Sequence, residues 1–203
     1  MSVEPRERTP QGERTRAMRT RLLDATIDCL VECGWARTTT TLVSKRAGVS
    51  RGAQLHHFPT KQDLVVAAVE YIATKRRAEL EAAAEHLPDR RRTRAVLEIL
   101  SEQFTSPVFL AALELWVAAR TDQGLQEAVG PLEQRIGRET HHQAVALFGV
   151  DESDAGAREL VQATLDMLRG LGLADTLADD SRRRKRILDT WAKTLDNTIG
   201  VHA

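Results

Sequence analysis

The sequence predicts an all-α protein of about nine helices, and three observations support this fold class. Apolar residues recur at intervals of three and four along almost the entire chain, which is the period of an amphipathic helix. Aromatic residues, which are enriched in strands, make up only 4% of the 203 residues. Runs in which apolar and polar residues alternate, as in a half-buried strand, are missing from the sequence.

The composition indicates a cytoplasmic globular protein. A hydrophobic share of 42% is sufficient for a core. Residues 1–16 are polar and charged and contain no apolar segment typical of a signal peptide. The best apolar runs are interrupted by Glu70 and Glu114, so no membrane-spanning segment is expected. Cys29 and Cys33 are too few for a disulfide framework, and we expect them to be small buried side chains in a reducing compartment.

Charge is distributed unevenly between the two ends of the chain. Residues 1–61 contain 11 Lys and Arg against 6 Asp and Glu, which gives a net charge of +5. Residues 62–203 contain 18 basic and 23 acidic residues, which gives −5. A basic head on an acidic body attracts phosphate at one end and repels it at the other. This distribution favours nucleic acid as a partner of the N-terminal part, although the net charge of the whole chain is zero.

The first part of the chain is predicted to form an arm followed by a helix. Residues 1–14 contain two prolines, a glycine and many charges, and are expected to be disordered. A helix from about Thr15 to Cys33 carries a continuous apolar stripe and ends at Gly34, which suits a left-handed helix stop. The stripe consists of Leu22, Leu23, Thr26, Ile27, Leu30 and Val31.

Two short helices are predicted next. The threonines at residues 38–41 offer an N-cap to a helix that ends near Ala47. A tight turn, Gly48 to Ser50, leads to a second short helix over residues 51–57, which Ser50 caps. Two short helices joined by a glycine-containing turn form the layout of a helix-turn-helix, whose second helix enters the major groove of DNA.

The rest of the chain is predicted to form six further helices. Pro59 interrupts the chain, and residues 60–63 resemble a capping box at the start of the next helix. Ser106 followed by Pro107 is a strong start signal for another helix. The six helices are expected at about residues 61–86, 92–104, 107–120, 125–148, 154–178 and 181–199.

A known family signature coincides with the predicted helix-turn-helix. Residues 38–64, TTTTLVSKRAGVSRGAQLHHFPTKQDL, closely resemble the signature of the TetR family of transcriptional regulators. The shared features are the threonines, a short helix, Ala-Gly-Val-Ser, a recognition helix, His-Phe, and then a Lys and a Leu. The preceding helix and Gly34 also fit the family's spacing. The resemblance implies a DNA-binding domain over residues 15–62 and an effector-binding and dimerisation domain over residues 63–203.

The resemblance also implies which residues contact DNA. The threonines and Lys61 would contact phosphates, and the recognition helix would meet the major groove. His56 and His57 are an alternative metal pair, but neighbours on a helix point about 100° apart and no further ligand follows at a suitable spacing. We therefore expect them to contact DNA. The predicted DNA-contacting residues are Thr39, Thr40, Thr41, Ser50, Arg51, Gly52, Ala53, Gln54, His56, His57 and Lys61.

Gln54 and Leu55 depart from the family pattern, which usually has Leu-Tyr at these two positions. The hydroxyl of that tyrosine normally reaches the DNA backbone, and Leu55 cannot replace it. Gln54 can bind an adenine bidentately if its side chain faces the groove, although this position is often partly buried in the family. A helical protein with a degenerate head that does not bind DNA is therefore one alternative.

The predicted roles of the C-terminal helices follow from the resemblance. Family members bind a small-molecule effector between the fourth and seventh helices and pair through the last two helices. Trp116 is the best pocket candidate because its ring is large and its N–H can donate. His141 either hydrogen-bonds an effector or is a satisfied buried histidine, and both alternatives stay open. The predicted pocket residues are Phe104, Phe109, Leu113, Trp116, Val117, His141, Phe148 and Met167.

The predicted dimer-interface residues are Leu160, Val161, Leu165, Leu168, Leu171, Ile187, Leu188, Trp191 and Leu195, in a stripe that continues to Ile199.

Together these features predict a homodimeric, ligand-responsive repressor that leaves a palindromic operator when a small molecule binds, without a cofactor, a metal or a membrane. An enzyme is disfavoured because no nucleophile–base pair, paired carboxylates or metal cluster stands out. Gly170 and Gly172 lie inside a predicted helix and follow no strand, so they do not form a phosphate-binding loop. An architectural DNA-binding protein without an effector is a second alternative, but it would not need the acidic helical body of residues 62–203.

Overall fold

The computed structural model describes residues 11–198, and over these residues it contains nine α-helices and no β-strand. The all-α prediction is confirmed. Residues 1–10 of the predicted arm and Ile199 of the predicted last helix lie outside the described residues. In chain order the helices are α1 (Gln11–Arg37), α2 (Thr40–Ala47), α3 (Arg51–His57), α4 (Lys61–Ala84), α5 (Arg92–Phe104), α6 (Pro107–Ala119), α7 (Gln123–Phe148), α8 (Ala157–Asp175) and α9 (Ser181–Thr198).

The described residues divide into two compact units, on either side of a boundary between residues 71 and 72, which falls within α4. The sequence placed the boundary between residues 62 and 63, at the start of this helix. The first turns of α4 belong to the N-terminal unit and bear three side chains that are at most 1% exposed, Leu64, Val65 and Ala68. These turns therefore contribute core residues to that unit and do not act as a linker.

Helix α1 begins at Gln11, so residues 11–14 are helical and the predicted disordered arm is wrong for this stretch. The Thr15 hydroxyl donates to the Gln11 carbonyl, four residues back, at 3.0 Å, as in a regular helical turn. The predicted apolar stripe is buried except for Val31, which is half-buried. Cys29 is buried, and burial raises the pKa of its thiol, which keeps the sulfur protonated and unreactive.

Gly34 interrupts α1 as the sequence predicted, but the helix resumes for one turn after it. Its φ of 69° and ψ of 177° lie in a region that essentially only glycine adopts. The carbonyl of Gly34 then accepts hydrogen bonds from the Thr38 N–H at 3.2 Å and from the Thr38 hydroxyl at 2.8 Å. The chain direction at the end of α1 is therefore fixed by one glycine and one buried threonine.

The core of the C-terminal unit surrounds α5, which packs against α7, α8 and α9. Its side chains Val96, Leu97 and Leu100 are 0% exposed. Helix α8 approaches the end of α5 so closely that a Cβ at Gly172 would lie 2.0 Å from the carbonyl oxygen of Phe104. The absence of a side chain at Gly172 therefore permits this close approach of the two helices.

The ends of the later helices follow local capping chemistry. The Ser106 hydroxyl accepts the Phe109 N–H at 3.3 Å at the start of α6, as predicted. Asp122 accepts the Leu125 N–H at 2.9 Å, so α7 begins two residues before its predicted start. Helix α8 begins later than predicted because residues 154–156 form a turn that ends at Gly156, with a φ of 82°.

Among residues 11–198, no single helix is long and apolar enough to cross a membrane. Only α5 and α6 taken together, with a 56° bend between them, reach such a length and composition.

Candidate DNA interface and effector site

Helices α2 and α3 form a helix-turn-helix whose turn and caps are those expected from the sequence. The Thr39 hydroxyl accepts the Leu42 N–H at 3.1 Å and caps α2. Gly48 ends α2 in the left-handed conformation, with φ 63° and ψ 36°, and Val49 is buried behind the turn. The Ser50 hydroxyl accepts the Ala53 N–H at 3.2 Å and caps α3. The capping residues therefore determine where the two short helices begin and where α2 ends.

Most of the residues predicted to contact DNA are accessible in the N-terminal unit. On α3, Arg51, Gly52 and His56 are exposed, while Ala53 and His57 are half-buried. The segment from residue 33 to residue 62 contains five basic residues and no acidic residue. One of the five, Arg46, is paired with acidic side chains of α1, and the other four present positive charge to a polyanion. The contacts themselves stay a prediction. The remaining predicted contacts on this segment are Thr39, Thr41 and Ser50, which are exposed, and Thr40, which is half-buried.

Gln54 does not face a groove, and the prediction that it binds a base is wrong for this structure. Its side chain is 0% exposed, and its Nε2 donates to the Phe58 carbonyl at 2.6 Å. This bond satisfies a carbonyl just beyond the C-terminus of α3. The neighbouring Leu55 is 42% exposed and occupies the outward position instead. A helix of seven residues has too few turns for its own pattern to define the buried face, and only the family resemblance indicated that this position is partly buried.

Lys61 is held by Trp35, a residue that the sequence analysis did not single out. The Lys61 Nζ donates to the Trp35 carbonyl at 2.6 Å and lies 3.4 Å from the centroid of the Trp35 ring. A cation over an indole face is attracted by the negative charge of the ring's π-system. The only sequence signal for this pair is the aromatic residue directly after Gly34, where the chain turns.

Arg46 lies on α2 but binds acidic side chains of α1. Its guanidinium makes two hydrogen bonds to the Glu32 carboxylate and an ion pair of 3.3 Å to Asp28. The hydrogen bond from Arg46 lowers the pKa of Glu32. Because its charge is already neutralised within the unit, Arg46 contributes mainly to the packing of α2 on α1.

The predicted effector-pocket residues belong largely to the packed core of the C-terminal unit. Phe104, Phe109 and Phe148 are at most 8% exposed, while Leu113, Trp116 and Met167 are half-buried against the same core. Phe109 packs edge-on against Phe104 at 5.5 Å and against Trp116 at 5.9 Å. Val117 is 66% exposed in the single chain, which does not favour its prediction as a pocket residue. The predicted pocket residues were chosen by helical periodicity. Core residues and cavity-lining residues share this period, so the pattern selected core residues instead.

His141 is buried and hydrogen-bonded within the chain. Its Nε2 lies 2.8 Å from Glu152 Oε1, which also accepts from Arg158 at 3.1 Å. The hydrogen bond to His141 is the main cause of a lowered pKa for Glu152. The Nδ1 of the same ring is buried and has no hydrogen-bond partner among the described residues, so the two alternatives that the sequence left open stay open.

A cavity of about 290 Å³ lies elsewhere in the C-terminal unit, between the end of α4, the start of α5 and α7. Its lining combines apolar side chains with a few charged and amide groups, which is typical of a small-molecule site. Arg92 is half-buried at its edge, where it donates a long hydrogen bond of 3.4 Å to the Leu147 carbonyl. The lining residues are Leu80, Glu81, Ala84, Arg92, His142, Gln143, Ala146 and Leu147.

Most of the predicted dimer-interface residues are already buried inside a single chain, so their assignment to a surface between chains is wrong. Three remain half-buried, Leu160, Ile187 and Trp191, and the Trp191 N–H donates to the Thr164 hydroxyl at 3.0 Å. Burial within the chain follows from the packing of α8 and α9 on α5. The residues that are 1–6% exposed are Val161, Leu165, Leu168, Leu171, Leu188 and Leu195.

The capped helix-turn-helix with its acid-free face defines the chain as a helix-turn-helix DNA-binding protein. The family profile described as bacterial regulatory proteins, tetR family, matches residues 22–68. An uncharacterized HTH-type transcriptional regulator of Mycobacterium tuberculosis is 37% identical over 146 residues, which cover 71% of this chain and 74% of that protein. The HTH-type transcriptional regulator CymR of Pseudomonas putida is 30% identical over 192 residues, covering 91% and 92%. The chain belongs to the TetR family of transcriptional regulators, which confirms the resemblance.

The fold is also similar to that of a solved structure. A transcriptional regulator from Saccharomonospora viridis, solved in complex with choline, superposes with a TM-score of 0.66. The superposition covers 93% of this chain and 98% of the Saccharomonospora viridis chain, at 18% sequence identity. At this identity the similarity concerns the fold alone.

Proposed function

We propose that this regulator is a repressor that binds a palindromic operator as a homodimer and is released by a small molecule bound in its C-terminal unit. The observation that carries the proposal is the exposed face of α2 and α3, which is basic, free of acidic residues and rigidly capped. Binding in the major groove needs such a face, because phosphates flank the groove on both sides.

Two kinds of contact are proposed for this face. Arg51, exposed in the first turn of α3, would bind a guanine bidentately and so contribute to sequence preference. Thr39, Thr41 and Ser50 would donate to phosphates and fix the position of the helix without selecting a sequence. Leu55 would make an apolar contact, for which a thymine methyl is the matching group.

Selection from random duplexes tests this proposal. We expect an inverted repeat whose half-sites are centred about 34–36 Å apart, the spacing of two recognition helices in a symmetric dimer. Arg51→Ala should cost about 1–3 kcal/mol and relax the preference at one base pair per half-site. The control is Arg120→Ala, which removes the same charge from an exposed position of the C-terminal unit. Binding that is equally weak on all duplexes and has no selected repeat would contradict the proposal.

The effector is proposed to bind in the 290 Å³ cavity between α4, α5 and α7. Its size and its mixture of apolar and polar lining suit a small amphipathic molecule. The choline complex of the Saccharomonospora viridis regulator supports this, since a protein of the same fold accommodates a small organic molecule. Release requires that the effector binds the DNA-free state more tightly than the DNA-bound state.

A matched pair of variants tests the position of the effector. Ala84 lines the cavity, whereas Ala82 lies on the same helix and is exposed. Ala84→Phe should abolish release by an effector found in a ligand screen and leave operator affinity unchanged, while Ala82→Phe should retain release. By reciprocity, operator should lower the effector's affinity by the same factor as effector lowers that of operator. Retention of release by Ala84→Phe would exclude this cavity.

The dimer is proposed to form through the outer face of α8 and α9, which we define by Leu160, Ala163, Met167, Ile187 and Trp191. Ala163 is exposed, and the other four side chains pack on the core with one part of their surface and leave the rest accessible. Ala163→Arg should therefore dissociate the dimer in sedimentation experiments. Gln162→Arg, one position away and also exposed, is the control. An unchanged mass for Ala163→Arg would exclude this face.

A further inference from the structure

Trp35 and Lys61 come from distant parts of the sequence and meet in the N-terminal unit. Trp35 lies in the last turn of α1, just after Gly34, and Lys61 is the first residue of α4. The backbone conformation of Gly34, which a side chain would oppose, turns the chain there. The carbonyl and the ring of Trp35 then both contact the same ammonium group, at 2.6 Å and 3.4 Å.

Thr60 and Asp63 cap the start of α4, so the Lys61 side chain is not needed as a cap and its role there is to supply positive charge. The Thr60 hydroxyl accepts the Asp63 N–H at 3.0 Å, and Asp63 accepts the Thr60 N–H at 3.1 Å. In this capping box the Asp63 N–H, a backbone donor of the first helical turn, is already hydrogen-bonded, and the negative Asp63 carboxylate lies at the same helix end. The positive charge that a phosphate would meet at this end of α4 therefore comes from the Lys61 side chain.

We propose that Trp35 is a positioning residue of the DNA interface, which holds the Lys61 ammonium beside the start of α4 so that it meets a phosphate already in place. This inference rests on the proposed DNA-binding function. A lysine side chain has many rotamers in water, and fixing it costs conformational entropy when it binds. Trp35 removes much of that cost before DNA arrives, because the ammonium is fixed by a hydrogen bond and by the indole face together.

The structure of the free protein is tested first, without DNA. Lysine amines of the full chain are dimethylated with a ¹³C label, which keeps their positive charge. The resonance that Lys61→Arg removes is assigned to Lys61. A group above an indole face is shifted upfield by the ring current, so we expect an upfield Lys61 signal in the wild type and in Trp35→Phe. Trp35→Leu should return it to the position of the other lysines. A wild-type Lys61 signal without this shift would overturn the proposal.

Operator affinity is then measured in a double-mutant cycle over a range of salt concentrations. Trp35→Leu should weaken operator binding about two- to fivefold per half-site, the range of an exposed cation–π pair, and so about 4- to 25-fold for a dimer. Lys61→Met should lower the salt slope by about one unit per half-site. In the Lys61→Met background, Trp35→Leu should have little further effect, because the group that it positions is gone.

The variants also separate positioning from a general loss of structure. Trp35→Phe keeps an aromatic face and should restore most of the affinity that Trp35→Leu loses. An equal loss from Trp35→Leu in the presence and absence of Lys61 would overturn the proposal and assign Trp35 to packing. If the wild type binds no duplex, the proposed function fails, and the ¹³C experiment still decides whether Trp35 holds Lys61.

Discussion

Gly172→Ala should destabilise the C-terminal unit, although alanine is usually the better residue in a helix. Inside an exposed helix this exchange stabilises by about 1 kcal/mol. At position 172 the added methyl would lie 2.0 Å from the Phe104 carbonyl oxygen, 2.8 Å from its carbon and 2.9 Å from the Phe109 ring. An ordinary contact begins at 3.4 Å, so α8 would have to move away from the end of α5 by about 1.4 Å. The two nearest blocking atoms belong to the Phe104 backbone, which cannot rotate away.

Overpacking of a well-packed core costs about 1–3 kcal/mol, and the upper end applies where backbone must move. Subtracting the gain in helix propensity leaves a net loss of about 2 kcal/mol, or roughly 4–8 °C in Tm for a chain of this size. Gly137 is the matched control, because it lies inside α7 and a Cβ there meets nothing within 4 Å. Gly137→Ala should raise stability by about 0.5–1 kcal/mol. Urea unfolding monitored by circular dichroism measures both. A Gly172→Ala variant as stable as Gly137→Ala would refute the proposed packing.

Two further predictions concern single polar side chains. The pKa of folded Glu152 is lowered from its ordinary value of 4.5, so its contribution to stability is present above pH 4.5 and is lost as pH falls through the folded pKa. Glu152→Gln should therefore weaken the acid-induced loss of stability, and an unchanged pH profile of Tm would contradict this. Gln54→Met should lower stability by about 0.5–1.5 kcal/mol, because its bond to the Phe58 carbonyl is lost, but leave the selected operator sequence unchanged. A changed base preference would show that Gln54 contacts DNA after all.

Sequence signals predicted the helices well where local chemistry determines their ends. Ser50, Ser106 and Gly48 carry out the capping roles expected of them, because each acts on backbone groups within a few residues. The errors in helix bounds occur where such a signal was overlooked, as at Asp122, or where a turn replaced a predicted helical turn, as before Gly156. Local propensity and capping therefore account for most of the secondary structure.

The candidate site was predicted less completely, because side-chain partners depend on distant contacts. The pairing of Lys61 with Trp35 spans 26 positions, and no local pattern indicates it. Gln54 differs, because its partner carbonyl at Phe58 is only four residues away, and its burial was missed because a helix of seven residues is too short for its pattern to define a buried face. The cavity is lined by parts of α4, α5 and α7 that lie far apart in sequence, so a list of apolar helix residues identified the core instead.

The predicted dimer stripe illustrates a limit of helical periodicity. A residue buried inside its own chain and one buried by a second copy follow the same 3.6-residue repeat. Val161, Leu165 and Leu168 are only 1–3% exposed in the single chain, so a partner can remove almost none of their area from water. At about 25 cal/mol per Å² of apolar surface, these three residues would add little to association, which is why the dimer is proposed to form through the outer face of α8 and α9. Substitution of Val161 should therefore unfold the chain before it dissociates the dimer, whereas substitution of Ala163 should dissociate it first.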